Sequence, residues 1–341
     1  MNYNQLGRTG VEVSSVGLGV MTYGAQTPED DAFRQMDMAF AAGVTLFDTA
    51  ENYPAPPVSA ETQGRSEEIL GRWVAARGVR ARVVIATKVA GPGNPAGDIS
   101  HIRGPDRRLD RRNIRAAAEA SLRRLGVDYI DLYQVHWPER PVTTHGRDRF
   151  SYIPDAPQLV PIEDTLEALG ELVAEGKVRA LGVANESPWG VMRYLAAAEA
   201  RGLPRIAAIQ NGYSLIERRF EHGLAEIAMR EQVGLIAYSP LARGLLTGKY
   251  STSSAPAGGG VIGPKKLVAT AAYLDLARSH GLPLAEMALA FARQRPFTAS
   301  VLMAASTAGQ LQANLRSLEL TLSKDLIKAI DAIHDDHPNP R

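Results

Sequence analysis

Short apolar runs rich in β-branched residues alternate along the chain with longer segments whose apolar positions recur at helical spacing. The runs begin near Val16 (VGLGV), Val44 (VTLFD), Arg82 (RVVIATK), Tyr129 (YIDLYQVH), Val178 (VRALGVAN), Ile206 (IAAIQN), Val233 (VGLIAYSP) and Ser300 (SVLMAAS). Runs this short suit buried strands, and their alternation with helices implies a parallel sheet covered by those helices. The eight units predict an α/β fold, a (β/α)8 TIM barrel, occupying residues 1–341 as one domain without an interdomain linker.

Punctuation supports the helices. One is expected from Pro28 to Ala42, with Asp30 and Asp31 at its positive end and Gly43 as its stop. Asp110 is placed to cap a helix from Arg111 to Leu125 that Gly126 ends, while Gly176 and Gly202 end the fourth and fifth. Extra C-terminal helices are expected over Ala308–Leu318 and Lys324–Ile333. Residues 2–15 hold a Gly-Arg-Thr-Gly turn between polar strands, an N-terminal β-hairpin suited to plugging one barrel face. Residues 89–107 and 138–160 are long loops of the kind that shape active sites, and 251–263 (STSSAPAGGGVIG) is either a lid or a connector.

Composition narrows the function. Lys plus Arg (38) nearly balance Asp plus Glu (37), so nothing global draws the chain to nucleic acid or an anionic membrane, and a small-molecule partner is expected. Cysteine is absent, which removes disulfides and thiolate chemistry, so redox work requires a bound cofactor. No run approaches about 18 uninterrupted apolar residues and the first residues are polar, so a cytoplasmic enzyme is expected. Composition leaves the oligomeric state open.

In a barrel of this type the reacting groups close the strands. Asp48 ends the second strand, Tyr53 follows in its loop, Lys88 ends the third and His136 ends the fourth. Singly, each is more often an ordinary solvated or paired group, and His136 alone reads equally as a core histidine. Together they fit reduction of a carbonyl by hydride. Tyr53 would donate the proton, Lys88 would lower the phenol pKa toward the operating pH, Asp48 would anchor Lys88, and His136 would orient the substrate oxygen. Asn185 and Gln210 close the fifth and sixth strands, where two amides suit the donor and acceptor of a carboxamide such as nicotinamide carries. Tyr238, closing the seventh, could stack on that ring. The Gly-punctuated segment Ser239 to Lys249, with Arg243, suits a pyrophosphate.

The blocks DTAENY, ATK, QVHWP, GVANES, IQNGYSL and AYSPLARGLLTGKY resemble, in order and spacing, those of aldo-keto reductases. ENYPAPP followed by ETQG, together with DLYQVHWPERP and SLELTLSKD, is similar to the Tas-type bacterial branch, related to potassium-channel β subunits. The resemblance spans essentially the whole chain. It implies NADP(H) as cofactor and Asp48, Tyr53, Lys88 and His136 as a catalytic tetrad. On the cofactor side it implies Val20, Met21 and Gln26 near the ribose, Asp48, Asn185, Gln210 and Tyr238 at the nicotinamide, and Ser239, Pro240, Leu241, Ala242, Arg243, Gly244 and Lys249 at the pyrophosphate. Ala304, Ser306, Gln310 and Asn314 fall at the adenosine phosphate. Tyr23, Tyr53, His136, Trp137 and Trp189 are candidates for the substrate side.

Three departures stand out. Relatives carry Gly where Ala304 stands and Ser where Ala184 stands, and the segment after GKY that holds a phosphate-gripping Arg is shortened. Lys265 or Lys266 is a candidate substitute, so a smaller preference for NADPH over NADH is expected. Other readings weaken on inspection. GPGNPAG (91–97) resembles a dinucleotide glycine loop, but Pro92 and Pro95 remove donors. The seven histidines are scattered, so no metal site is expected. The arginines from Arg107 to Arg115 head a helix without interleaved aromatics. A regulatory subunit of the channel type shares the fold, yet the intact tetrad and the lack of an extra segment before the hairpin point to an enzyme.

Overall fold

A computed structural model describes residues 1–92, 98–142, 154, 159–250 and 262–340. The parts of the three loop segments at 93–97, 143–153, 155–158 and 251–261 lie outside the described residues. The chain opens with the hairpin, β1 (Tyr3–Gln5) antiparallel to β2 (Glu12–Ser14). All eight expected strands then form: β3 (Val16–Gly19), β4 (Leu46–Asp48), β5 (Val84–Val89), β6 (Ile130–Val135), β7 (Val178–Ala184), β8 (Ile206–Gly212), β9 (Gly234–Tyr238) and β10 (Thr298–Met303). They make one closed parallel barrel, sealed where Val301 of β10 pairs with Val16 of β3.

Strands that run apolar end to end have both faces covered, and every residue of β5, β6 and β10 is buried. Inside the barrel, Leu46, Val84, Leu132, Ala180, Ala208 and Ile236 form one cluster with Leu6, Val11 and Val13 of the hairpin. The hairpin thus closes the amino-terminal end as its sequence suggested. The approach is close: a Cβ on Gly7, whose φ is +58°, would lie 2.9 Å from Ala207 Cα.

The helices outside are α1 (Glu29–Ala41), α2 (Arg65–Arg77), α3 (Arg111–Leu125), α4 (Ile162–Ala174), α5 (Pro188–Arg201), α6 (Leu224–Glu231), α7 (Pro264–Ser279), α8 (Leu284–Arg293), α9 (Ala308–Leu315) and α10 (Lys324–Asp336). Asp110 caps α3 by accepting from Asn113 N, and Gly126 ends that helix in the left-handed conformation. Two expectations need correction. Two helices, α7 and α8, stand between β9 and β10 where a regular unit has one. The helix expected to reach Leu318 ends at Leu315, where the chain tightens into a 3-10 turn over Arg316–Glu319.

The contact of α2 with α3 supplies a test of packing. A Cβ on Gly71 would stand 2.2 Å from the Leu125 carbonyl oxygen. Alanine is favoured over glycine in a helix by ~1 kcal/mol, but overlap with a fixed backbone oxygen costs ~1–3 kcal/mol or more. Gly71→Ala is therefore expected to destabilise the chain by ~1–2 kcal/mol in urea unfolding, and a stabilised variant would refute this close packing.

Candidate active site

Register brings the polar strand ends to one mouth. Asp48 pairs with Gly19 on one side and Ala86 on the other, Lys88 pairs with Gln134, Gln134 with Gly182, and Ala184 with Gln210. Lys88 is 0% exposed. Its ammonium donates to Asp48 Oδ1 at 2.5 Å and to the Thr49 carbonyl at 2.7 Å. Burial pushes the Lys88 pKa down, and the Asp48 charge opposes that.

The loop after β4 is tied down on both sides of Tyr53. Tyr53 N donates to Ala50 O, its carbonyl accepts from Gly64 N, and Ala55 N donates to Met21 O at the exit of β3. The Lys88 ammonium lies 5.2 Å from the Tyr53 ring centroid, and the His136 ring lies edge-on at 5.6 Å. His136 is itself held by its backbone N–H on Val89 O and by its carbonyl, which accepts from Asn185 Nδ2 at 2.8 Å. All four tetrad candidates therefore converge.

One electrostatic expectation is corrected. Burial outweighs the Lys88 charge in this arrangement: it pushes the Tyr53 pKa well up, and the charges of Asp48 and Tyr238 add to the rise. Tyr53 is consequently a neutral phenol, a form that can give a proton.

Beside the tetrad lie the two amides. Gln210, 4% exposed, donates through Nε2 to Asp48 Oδ2 at 2.7 Å. Asn185, at a left-handed φ of 57°, accepts from the Tyr238 hydroxyl at 2.7 Å. Gly212 leaves room for the Tyr238 ring, since a Cβ there would lie 3.3 Å from it. Burial pushes the Tyr238 hydroxyl up to about 12. Beyond β9, Ser239, Ala242, Arg243 and Gly244 all take positive φ, a tight winding around Pro240 and Leu241 that leaves Arg243 and Lys249 exposed. Neither cation is ion-paired to a described residue. Across the mouth, Thr307 caps α9, Ser306 N donates to Gln310 Oε1 at 3.0 Å, Ala304 is exposed and Asn314 is buried. Lys265 and Lys266 stand in the first turn of α7, which packs against the 242–247 turn.

Several candidates sit differently from expectation. Tyr23 is 1% exposed in the main core with its hydroxyl on Gln35, because the 22–27 turn directs it inward, so it is not on the substrate side. Val20 is fully buried, its N–H given to Asp48 O and its carbonyl accepting from Tyr23 N, and the Gln26 amide donates to Pro56 O. Trp137 is 8% exposed, its Nε1 on Pro92 O, in a small cluster with Ala90, Ile99 and Ile102. Met21 and Trp189 are exposed, with the Arg140 guanidinium 4.8 Å from the Trp189 ring centroid.

Two features escaped the sequence reading. Gln134, fully buried in β6, donates to Asp48 Oδ2 at 3.3 Å. Gln134 shares its six-residue strand with Asp131 and Tyr133, so a buried amide there was only a faint signal. Glu51, 1% exposed, accepts from Ala90 N at 2.5 Å and pairs with Arg103, which also donates to Ala90 O. Nothing local in the sequence links residues 52 positions apart.

Polar groups gathered at the carboxyl-terminal mouth of a closed parallel barrel, with an amide pair and an aromatic beside them, define a TIM-barrel oxidoreductase. The comparisons agree: the model of the Aldo/keto reductase family matches residues 15–335, and the chain belongs to that family. Protein tas of Escherichia coli (strain K12) is 48% identical to it over 100% of this chain and 99% of that protein. An uncharacterized oxidoreductase, YrpG of Bacillus subtilis (strain 168), is 33% identical over 98% and 96% of the two chains. The aldo-keto reductase YhdN of the same organism is 34% identical over 74% of this chain and 65% of its own. Among the described residues no helix is long and apolar enough to cross a membrane, and no group of three or more potential ligands could hold a metal.

The Glu51–Arg103 pair bolts the segment after β5 to the Tyr53 loop. Arg103→Met would leave a buried carboxylate uncompensated, so a loss of ~3–5 kcal/mol is expected in urea unfolding, against little change for a surface pair such as Arg230–Glu226. Equal effects at both sites would contradict this.

Proposed function

We propose that the chain reduces aldehydes or ketones with NADPH, using Tyr53 as the general acid. The observation that carries this reading is the fully buried Lys88 ammonium, held by Asp48 and Thr49 and 5.2 Å from the Tyr53 ring. A dinucleotide fits the residues present. The Asp48 carboxylate only accepts, so Gln210 must turn its nitrogen to it and leave Oε1 outward as an acceptor. Asn185 uses one N–H on His136 O and keeps a second. An outward acceptor beside an outward donor complements a carboxamide. Tyr238 would flank the ring, while Arg243, Lys249 and the capped start of α9 would meet the phosphates.

A bound reduced nicotinamide supplies the hydride to the carbonyl carbon. Tyr53 gives its phenolic proton to the carbonyl oxygen as that oxygen gains charge, and His136 orients the same oxygen. Lys88 stabilises the phenolate left behind, and Asp48 keeps Lys88 in place. The buried Trp137 cluster beside His136 excludes water from that side of the reacting atoms. The chain, one barrel domain in the cytoplasm, acts on a small carbonyl or alcohol with neither nucleic acid nor membrane as partner.

Steady-state oxidation of NADPH with a panel of aldehydes tests the reading. Turnover is expected in the native chain, and Tyr53→Phe should lower it at least ~100-fold while nucleotide affinity stays nearly intact. Near-normal turnover in that variant would remove Tyr53 from its role. The pH dependence follows from the sign of the shift. A phenol pushed above its ordinary value of ~10 stays protonated, so reduction should not decline through phenol ionisation below that pH. Alcohol oxidation, which needs the phenolate, should climb as pH rises through the same range. A reduction rate that collapses between pH 7 and 8 on loss of the Tyr53 proton would contradict this assignment.

The cofactor choice has its own test. A 2′-phosphate needs cations or N–H dipoles, each charge-assisted bond contributing ~1.5–3 kcal/mol, and only Lys265 and Lys266 head α7 beside the shortened segment. NADPH should bind more tightly than NADH, and Lys265→Ala with Lys266→Ala should narrow the gap. Equal affinities in the native chain would defeat the NADP assignment and leave the family untouched.

A further inference from the structure

We infer that Gln134 is a positioning residue that ties the nicotinamide seat to the proton donor, by holding Asp48 and Gln210 through one buried side-chain amide. This rests on the reductase reading above. Asp48 Oδ1 is occupied by the Lys88 ammonium. Its Oδ2 accepts from two amides, Gln210 Nε2 at 2.7 Å and Gln134 Nε2 at 3.3 Å, and Gln134 Oε1 in turn lies 3.4 Å from Gln210 Nε2. Because a carboxylate can only accept, both amides are forced to turn their nitrogen toward Asp48, and this leaves Gln134 Oε1 facing Gln210.

The fold makes room for this side chain. Gln134 is 0% exposed and sits in register between Lys88 on β5 and Gly182 on β7. A Cβ on Gly182 would lie 3.0 Å from Gln134 Cγ, so a larger residue there would crowd it. A leucine in place of Gln134 would leave Asp48 Oδ2 with Gln210 as its one remaining donor among the described residues. Gln210 would then answer to the carboxylate alone, without the second contact that fixes its amide plane. Among the described residues the Gln134 side-chain amide bonds Asp48 and Gln210, so its effect passes through them.

The charged and titratable groups around Tyr53 are Asp48, Lys88, His136 and Tyr238. Of these, Asp48 opposes phenolate formation. Removing an N–H from Asp48 leaves its negative charge less neutralised, so the phenolate should form less readily. The experiment is Gln134→Met, similar in length and lacking the amide, in the full chain. The expected result is an upward move of the pH midpoint of alcohol oxidation by about half a unit, and a fall in kcat of about tenfold with a smaller change in substrate KM. In an Asp48→Asn background the same substitution should add less than about twofold. If Gln134→Met does not fold, Gly182→Ala crowds the same amide and should move the midpoint in the same direction by less.

A residue that only fills space would lower the unfolding temperature and leave the pH midpoint unmoved. That result in a folded variant, or a kcat loss that adds in full to Asp48→Asn, would overturn the proposal. Turnover in the unsubstituted chain separates the two readings: without it the reductase reading fails and takes this one with it, whereas turnover with an unmoved midpoint sinks Gln134 alone.

Discussion

A lysine ammonium and an aspartate carboxylate buried together at the mouth of the barrel are the constraint around which the site is arranged. Lys88 is 0% exposed and Asp48 3% exposed, so each has lost its water. Isolated, either charge would cost several kcal/mol. Their bond of 2.5 Å, the Thr49 carbonyl and the two glutamine amides replace the lost solvation group by group. Such a pair is a weak means of stabilising a fold, since apolar residues of similar volume often do as well. Its retention makes sense where the charges act on something, and the Tyr53 ring is 5.2 Å away.

The barrel supplies the rigidity that this requires. Each participant leaves a different strand, and the strands are locked to one another by parallel register, so the relative positions of Asp48, Lys88, Gln134, Asn185 and Gln210 are fixed by backbone pairing. Tyr53 is the exception, standing in a loop. It is correspondingly secured by backbone bonds to Ala50 and Gly64 and, through Glu51, by the buried pair with Arg103. The opposite end of the barrel is filled by Leu6, Val11 and Val13 of the hairpin and serves closure.

How far the sequence could be read depended on whether the information was local. The strands were legible because apolar runs bounded by punctuation are a property of a few consecutive residues, and the Asp110 cap and Gly126 stop are set by single side chains. Asp48, Lys88 and His136 were legible as polar residues closing apolar strands, and Tyr53 as the tyrosine in the loop that follows the first of them. Tyr23 was misplaced because neighbours in sequence, Met21 and Tyr23, face opposite ways across a turn that only the fold defines. The direction of the Tyr53 shift was misread because it depends on burial and on the Asp48 charge beside the ring, both tertiary properties. Gln134 carried a faint signal, an amide in a strand that also holds Asp131 and Tyr133, and its partners lie 86 and 76 residues away.

The central claim is that the buried pair exists for the chemistry of Tyr53 and contributes little to the fold. Replacing both charges at once, Lys88→Met with Asp48→Asn, separates the two roles, because it leaves no charge unpaired. The measurement is the unfolding temperature of the double variant beside its rate of NADPH-dependent aldehyde reduction. The expected result is an unfolding temperature equal to or above that of the native chain, with turnover lowered at least ~100-fold. A double variant that loses stability but keeps its turnover would contradict the account.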